Sequence, residues 1–312
     1  YNSITKKISQ CANTQNPVND ADFFSNHPFH VLMEQLSRKV MAPPVNGNPY
    51  QTIWFYERSR GKWEQEQMKY TPAEKKKFCE MHPKNQVIKK EKLAKCLNSV
   101  YMNPNQVCQS SAINFSKFAT IIENMYDEHK DSINEVFFKK CVCSVILFDT
   151  LDSLIGKASW YPKGGNKAQI TPYTIAKFFS LLPSKKDIDW LTIWNKQTLY
   201  PELAEELLKI AYLTHNYLNK AAAGGIVRTI SRTLNVWSTY RDNVKYELSD
   251  EFCATLVSKD ETKSIEASAK RAHKFNSNID IAVEVFKLGA TYWSKVYADI
   301  LKDNILSFGD VE

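Results

Sequence analysis

Glycine is scarce in this chain, and long apolar runs are missing from it. The 312 residues include only 9 Gly against 12 Pro, a balance that argues against an all-β or linker-rich protein. No apolar run approaches the ~18 residues that a membrane-spanning helix needs, and no secretory signal is present. With 43% hydrophobic and 24% charged residues, the composition is that of a globular protein with a sizeable core. We expect a cytoplasmic protein with no membrane partner.

The cysteines lack the spacing of a metal or redox site. Seven are present, and no Cys-x-x-Cys pair occurs among them, so neither a zinc knuckle nor a thioredoxin-like site is indicated. Free and mostly buried thiols are expected instead. Cys108 lies just before a predicted helix, whose N-terminal amides could activate the thiol, but no histidine is near it in the sequence.

Familiar catalytic motifs are also missing. The sequence holds no Gly-x-Ser-x-Gly nucleophile turn. Gly164-Gly165-Asn166-Lys167 lacks the spacing and the ending of a P-loop, which favours a glycine turn that closes the preceding Trp-Tyr-Pro loop. The chain begins at Tyr1 rather than Met, and we expect it to be a fragment of a longer polypeptide. Whether this fragment is an enzyme stays open, although no activity is favoured, and neither a cofactor nor a metal is expected.

Basic residues exceed acidic ones. There are 41 Lys and Arg against 34 Asp and Glu, which gives a net charge of +7. Such a mild excess permits an anionic partner such as nucleic acid, but it is also common on ordinary protein surfaces.

The periodicity of apolar residues predicts a mainly α fold, a multi-helical domain with a small β or irregular element near the N-terminus. Gln51–Glu57 has the composition of a strand, and Thr71-Pro72-Ala73-Glu74 predicts a helix that begins with a capping box and runs to Met81. Predicted helices cover Tyr1–Ala12, His30–Val40, Lys62–Lys69, Lys89–Leu97, Ser111–Glu128, Ser132–Ile155, Pro172–Leu182, Asp187–Asn195, Pro201–Asn219, Ile226–Trp237, Asp250–Ser258, Ile265–Lys274 and Ile279–Leu301. The polar, irregular stretch Asn98–Val107 is the expected seam, so we predict two units, residues 1–105 and 106–312.

Two histidines are close enough in sequence to be considered as metal ligands. His27 and His30 are three residues apart, with Asp20, Asp22 and Glu34 close in sequence. However, the proline after His27 disfavours one continuous helix through both rings. The favoured interpretation is that His27 caps a helix and His30 packs in the core.

The segment after the first loop combines aromatic and charged side chains. Strand alternation places Trp54, Tyr56 and Arg58 on one side and Phe55 and Glu57 on the other. An arginine held by buried aromatics suits a phosphate or a carboxylate ligand. The favoured alternative is an Arg–Asp/Glu pair that joins this segment to the asparagine-rich turn at residues 13–20.

Four segments resemble a known family in their order and spacing, the abortive infection phage resistance family, AIPR. They are Asn13-Thr14-Gln15-Asn16-Pro17-Val18, Ser25-Asn26-His27-Pro28-Phe29-His30, Trp54-Phe55-Tyr56-Glu57-Arg58-Ser59-Arg60-Gly61 and Lys92-Leu93-Ala94-Lys95. Weaker matches follow along the chain, and the family's Trp-Cys-Lys-Lys-like segment is altered here to Val236-Trp237-Ser238-Thr239-Tyr240. The resemblance covers most of the chain.

The resemblance implies a role in bacterial defence against phage more than it implies a reaction. Family members are usually longer, with an upstream nuclease-like segment and a ParB-like motif, and neither is visible here. Residues 1–105 are therefore interpreted as the end of a ParB-like unit that carries the polar and aromatic segments, and residues 106–312 as a helical domain.

Two classes of function stay open. The first is a non-catalytic module that senses or binds nucleic acid, nucleotide or a phage protein. The second is part of a defence nuclease or ParB-like nucleotidase whose catalytic segment lies upstream of Tyr1. A homo-oligomeric scaffold is a third interpretation. The ligand-binding candidates are Asn13, Thr14, Gln15, Asn16, Asn26, His27, His30, Tyr56, Glu57, Arg58 and Arg60.

Overall fold

Helices make up most of the chain that the computed structural model describes, namely residues 24–44, 50–268, 271, 287, 289 and 291–297. The prediction of a mainly α fold with a small β element near the N-terminus is confirmed. The predicted helix Tyr1–Ala12 lies outside the described residues, as do the end of Ile265–Lys274 and much of Ile279–Leu301.

The first described elements form a small α/β unit. After a 3₁₀ turn at Phe24–Asn26, helix α1 covers Pro28–Lys39. Two antiparallel strands follow, β1 (Met41–Ala42) and β2 (Thr52–Ile53). Strand β3 (Phe55–Glu57) pairs in parallel with β4 (Val87–Lys89), which confirms the predicted strand and places Glu57 opposite Lys89.

Two helices connect the parallel strands, α2 (Lys62–Gln67) and α3 (Pro72–Met81). The predicted capping box is present at the start of α3. The Glu74 backbone N–H donates to Thr71 Oγ1 at 3.5 Å, and the Thr71 backbone N–H donates to Glu74 Oε2 at 2.9 Å. No residue of α3 is buried, so these local signals specify the helix without help from the core.

The larger helical part is built around one central helix. Apolar side chains all around that helix are buried, because other helices cover it on several sides. The central helix is α7 (Glu135–Lys157), and it contacts α4 (Lys90–Val100), α8 (Lys167–Leu181), α9 (Trp190–Lys196) and α10 (Pro201–Ala222); α6 (Ser111–His129) packs on α4.

The remaining elements are short. Strands β5 (Lys186–Asp187) and β6 (Val257–Ser258) pair in antiparallel fashion. Residues 259–268 after β6 are helical. The short helices are α5 (Pro104–Val107), α11 (Val227–Ile230), α12 (Leu234–Asn243) and α13 (Asp250–Cys253).

Several predicted boundaries were wrong. The predicted helix Asp250–Ser258 ends at Cys253, because the chain turns there and Val257–Ser258 form β6. Helix α8 begins at Lys167, five residues before Pro172, which sits inside the helix. The predicted helix Ile226–Trp237 is two helices, because the chain turns through Ser231–Thr233. The stretch Asn98–Val107 is not irregular, since α4 extends to Val100 and α5 follows.

One buried apolar cluster runs from Phe29 to Leu256 and includes residues on both sides of the predicted boundary at 105/106. The division into two units stays a prediction. Among the described residues, no helix is both long and apolar enough to cross a membrane.

Candidate functional site

The predicted ligand-binding residues fall into two groups. Asn13, Thr14, Gln15 and Asn16 lie outside the described residues. The others lie around α1, β3 and the turn that follows β3. Some of these side chains are buried and have structural partners, whereas others are exposed.

His27 and His30 have the roles that the sequence favours. His27 precedes α1, and its Nδ1 accepts a hydrogen bond from the Phe29 backbone N–H at 3.2 Å. The His30 side chain is fully buried, and its Nδ1 shares a hydrogen bond of 2.6 Å with the Tyr56 hydroxyl. Burial, reinforced by the charge of Lys90, lowers the pKa of His30 to about 3. The ring is therefore neutral at physiological pH.

The metal site considered around His27 and His30 does not form among the described residues. No group of three His, Cys, Asp or Glu side chains in those residues is arranged to hold a metal ion. Asp20 and Asp22, which the metal hypothesis also used, lie outside them.

Arg58 belongs to an ion-pair network centred on Glu34 of α1. The Arg58 Nε donates to Glu34 Oε2 at 2.8 Å, and Arg38 donates to Glu34 Oε1 at 2.9 Å. Lys62 contacts the same Oε1. Burial would raise the pKa of Glu34, but the hydrogen bonds from Lys62 and Arg58 outweigh it and hold that pKa below its ordinary value. Glu34 thus stays ionised as the acceptor of three cations.

The same guanidinium also holds the turn before α1. Arg58 Nη1 donates to the Ser25 carbonyl at 2.9 Å and to Asn26 Oδ1 at 3.0 Å. Pairing of Arg58 with a carboxylate is what the alternative predicts, whereas the asparagine-rich turn that it was predicted to join lies outside the described residues. Glu34 is the carboxylate partner, and 24 residues separate it from Arg58.

Alternation along β3 is as predicted, and it directs the aromatics into separate parts of the core. Trp54 Nε1 donates to Gln197 Oε1 at 2.7 Å, whereas Phe55 packs edge-on against Phe78. Glu57 is buried, and its Oε1 accepts the Trp63 backbone N–H at 3.2 Å. After β3 the alternation ends, because the chain turns before α2.

Arg60 lies in that turn and is exposed. It is followed by Gly61, whose φ of +74° is a conformation that favours glycine. Arg60 lines an open cavity of about 370 Å³ at the start of α4 and of α6. This cavity, called the basic pocket below, is lined by Glu57, Arg60, Lys89, Glu91, Lys92, Lys95 and Ser111.

The basic pocket gathers four cations and two carboxylates. Lys89 ends β4, and Lys92 and Lys95 lie three residues apart on α4, which places them on one face of the helix. Lys92 forms an ion pair with Asp149 and lies 4.3 Å from the centre of the Phe148 ring. The pocket is thus lined by three ammonium groups and one guanidinium, which are cations that can bind an anion.

Sequence reasoning did not select the three lysines of this pocket. The available signal was the spacing of Lys92 and Lys95 in a predicted basic helix, together with their place in a family motif. The sequence did not indicate the parallel pairing of β3 with β4, which places Glu57 opposite Lys89.

The other chemical candidates have structural surroundings. Burial raises the pKa of Cys108 to about 12, so its thiol is not poised as a nucleophile. Gly164 has a φ of +80°, and the Gly165 backbone N–H donates to the Pro162 carbonyl at 3.0 Å. The predicted glycine turn is thereby confirmed. Of the cysteines in the described residues, none is disulfide-bonded, and four are buried.

Comparison with known proteins gives a single result. The family model described as AIPR protein matches residues 1–222, which is more than two thirds of the 312 residues. No curated protein and no solved structure matches the chain. The matched range contains α1, β3, α4 and all residues that line the basic pocket. The chain belongs to the AIPR family of abortive infection phage resistance proteins.

Proposed function

We propose that this chain is a non-catalytic recognition module of an abortive infection protein and that it binds the phosphates of a nucleic acid at the basic pocket. The observation that carries the proposal is the convergence of Arg60, Lys89, Lys92 and Lys95 on one open cavity. These side chains come from a turn, a strand end and a helix. Cations outnumber carboxylates there even when Asp149, the ion-pair partner of Lys92, is counted, and this balance suits an anionic ligand.

The chemistry of the pocket favours a phosphate backbone over a nucleobase. None of the described residues that line it is aromatic, so a base would find no ring on which to stack. Base recognition in single strands depends on such stacking. Lysine is instead a compact point charge that contacts phosphate without reading sequence. Binding with little sequence preference and strong dependence on salt is expected.

The two carboxylates of the pocket do not cancel its attraction for phosphate. Glu57 is buried, and its Oε1 is engaged by the Trp63 backbone N–H. Glu91 lies in the first turn of α4, where the helix dipole favours a negative charge. Repulsion from these two groups restricts where a phosphate sits, which places it nearer the arginine and lysine side.

The test is a salt titration of nucleic-acid binding by the 312-residue chain. A short labelled duplex and a labelled single strand are followed by fluorescence anisotropy between about 50 and 200 mM salt. The double variant Arg60→Ala/Lys95→Ala removes two of the pocket cations. If both contact phosphate, the slope of log affinity against log salt becomes shallower by about 2.

Two controls separate recognition from folding. Lys76→Ala removes an exposed lysine of α3 outside the pocket and is expected to leave the slope unchanged. Arg58→Ala removes one partner of Glu34 and is expected to cost about 1–3 kcal/mol of unfolding free energy without changing the slope. Equal slopes for the wild type and the pocket variant, or the absence of salt-dependent binding, would contradict the proposal.

A further inference from the structure

A second and larger cavity lies on another part of the helical core. Its volume is about 610 Å³, within the range of small-molecule sites. It is called the aromatic cavity here. Its apolar walls include Leu97, Val100, Phe137, Phe179, Leu182 and Trp190.

The walls of the aromatic cavity are held in place before any ligand arrives. The rings of Phe179 and Trp190 are nearly parallel, at 10°, with centroids 6.0 Å apart. Trp190 Nε1 donates to Asp187 Oδ2 at 3.1 Å, which fixes the indole. Cys143 Sγ donates to the Trp190 carbonyl at 3.4 Å. A cavity whose aromatic side chains are already ordered loses little entropy when it binds a planar ring.

Polar groups on the helices complete the lining. Asn134, which caps the start of α7, and Ser144 within α7 both belong to the lining. Lys140 lies between them and forms an ion pair with Glu266 from the helical segment 259–268. This ion pair ties the segment after β6 to α7, so the segment forms one side of the cavity.

The charges of the lining leave two lysines available. Both oxygens of Asp187 accept hydrogen bonds, from the Ile188 backbone N–H and from Trp190. Glu266 is paired with Lys140. Lys259 and Lys263 also line the cavity. Within the part of the chain that the structure describes, neither has a carboxylate within ion-pair distance. An anionic group on a ligand can therefore pair with them without displacing an ion pair between described residues.

We propose that the aromatic cavity binds a small organic anion that carries a planar ring, the chemistry shared by a mononucleotide and an aromatic carboxylic acid. The ring would lie against Phe137, Phe179 and Trp190, and the anionic group would face Lys259 and Lys263. The proposal is independent of nucleic-acid binding at the basic pocket, because the two cavities share no lining residue.

The test uses 1-anilinonaphthalene-8-sulfonate as the probe, since it combines planar rings with an anionic group. Saturable fluorescence with the folded 312-residue chain is expected. Lys259→Glu/Lys263→Glu should weaken probe binding about tenfold or more, the effect of losing a charged hydrogen bond. Val100→Trp should weaken it by filling the cavity. Matched controls are Lys76→Glu and Leu234→Trp, which alter exposed residues outside the lining.

Competition then identifies the source of the ligand chemistry. Displacement of the probe by adenosine monophosphate supports a mononucleotide, and displacement by indole-3-carboxylate alone supports an aromatic acid. Failure of both to displace it overturns the proposal. Unchanged probe binding in the two-lysine variant also overturns it, and this variant tests the idea even if Val100→Trp does not fold. Thermal unfolding of each variant shows whether a loss of probe binding reflects a loss of structure.

Discussion

At the scale of single residues, His30 shows how the core sets the chemistry of a polar side chain. The rings of Phe29, Phe115 and Tyr56 lie within about 6 Å of the imidazole, centroid to centroid. Burial is the main cause that lowers the pKa of His30 to about 3, and the charges of Lys90, His27 and Arg58 add to it. The imidazole is an internal hydrogen-bonding group rather than a ligand for an anion.

This environment predicts a dependence of stability on pH. The unfolded His30 takes up a proton near its ordinary pKa of 6.5, whereas the folded one does so only near 3. The unfolded state therefore binds more protons below pH 6.5, and stability falls as pH falls through that window. Between about pH 7.5 and 5, His30 alone should remove about 2 kcal/mol of unfolding free energy.

Urea unfolding of the wild type and of His30→Phe at the two pH values measures this effect. The variant loses the hydrogen bond to Tyr56 at every pH, so only the change with pH is informative. On acidification, the free energy of unfolding of the variant should fall by about 2 kcal/mol less than that of the wild type. His129→Phe, at an exposed position on α6, is the control. The same pH dependence in His30→Phe and the wild type would show that the folded imidazole titrates normally.

At the scale of elements, a buried lysine joins α8 to the end of α12. Lys177 is 1% exposed, and its Nζ donates to the carbonyls of Tyr240, Arg241 and Val244 at 3.3, 2.8 and 2.6 Å. The last carbonyls of a helix have no partner within the helix, and a cation at that end is favourable. Lys177 thus supplies from α8 the C-terminal cap of α12.

Lys177→Met is expected to destabilise the protein by about 2–3 kcal/mol, because it leaves carbonyls at the end of α12 without a donor. Urea unfolding followed by far-ultraviolet circular dichroism measures the loss. Lys220→Met is the matched control, since Lys220 is exposed in the last turn of α10, and a change within about 0.5 kcal/mol is expected. Comparable losses in the two variants would mean that the three carbonyls contribute nothing specific.

Elements with local signals could be predicted from the sequence. The capping box of α3 spans four residues, and the α1 periodicity lies within one helix, so neither depends on the rest of the fold. The turn between α11 and α12 was missed because the apolar spacing continues across it. Pro172 was predicted at a helix start, the position where proline is best tolerated, whereas the structure places it inside α8.

The candidate site could be predicted only in part, for the same reason. The side on which Trp54 and Tyr56 lie follows from strand alternation, which is local. The partner of Arg58 does not follow from it, because Glu34 lies 24 residues earlier on another element. The basic pocket depends on the β3–β4 pairing across the two intervening helices. Contacts between residues so far apart in the sequence can be identified only once the fold is known.

At the scale of the whole molecule, α4 connects the two sides of the predicted boundary at 105/106. It continues directly from β4, and it packs on α6, α7 and α8. Asn98 Nδ2 donates to the carbonyl and to the side-chain oxygen of Asn114 at 2.9 and 2.8 Å. Trp54 Nε1 donates a further hydrogen bond across the boundary, to Gln197 Oε1. The buried faces on the two sides of the boundary therefore pack against each other.

These contacts predict that residues 106–312 do not fold as an independent unit. Without α4, the faces of α6, α7 and α8 that it covers are exposed to water, and the free energy of that burial is lost. We expect fragment 106–312 to unfold without a cooperative transition, whereas the 312-residue chain shows coincident transitions by tryptophan fluorescence and circular dichroism. Mixing fragments 1–105 and 106–312 should restore the transition, because the missing face is supplied in trans. A cooperative transition in fragment 106–312 alone would instead establish the boundary at 105/106 and show that α4 is dispensable for the helical core.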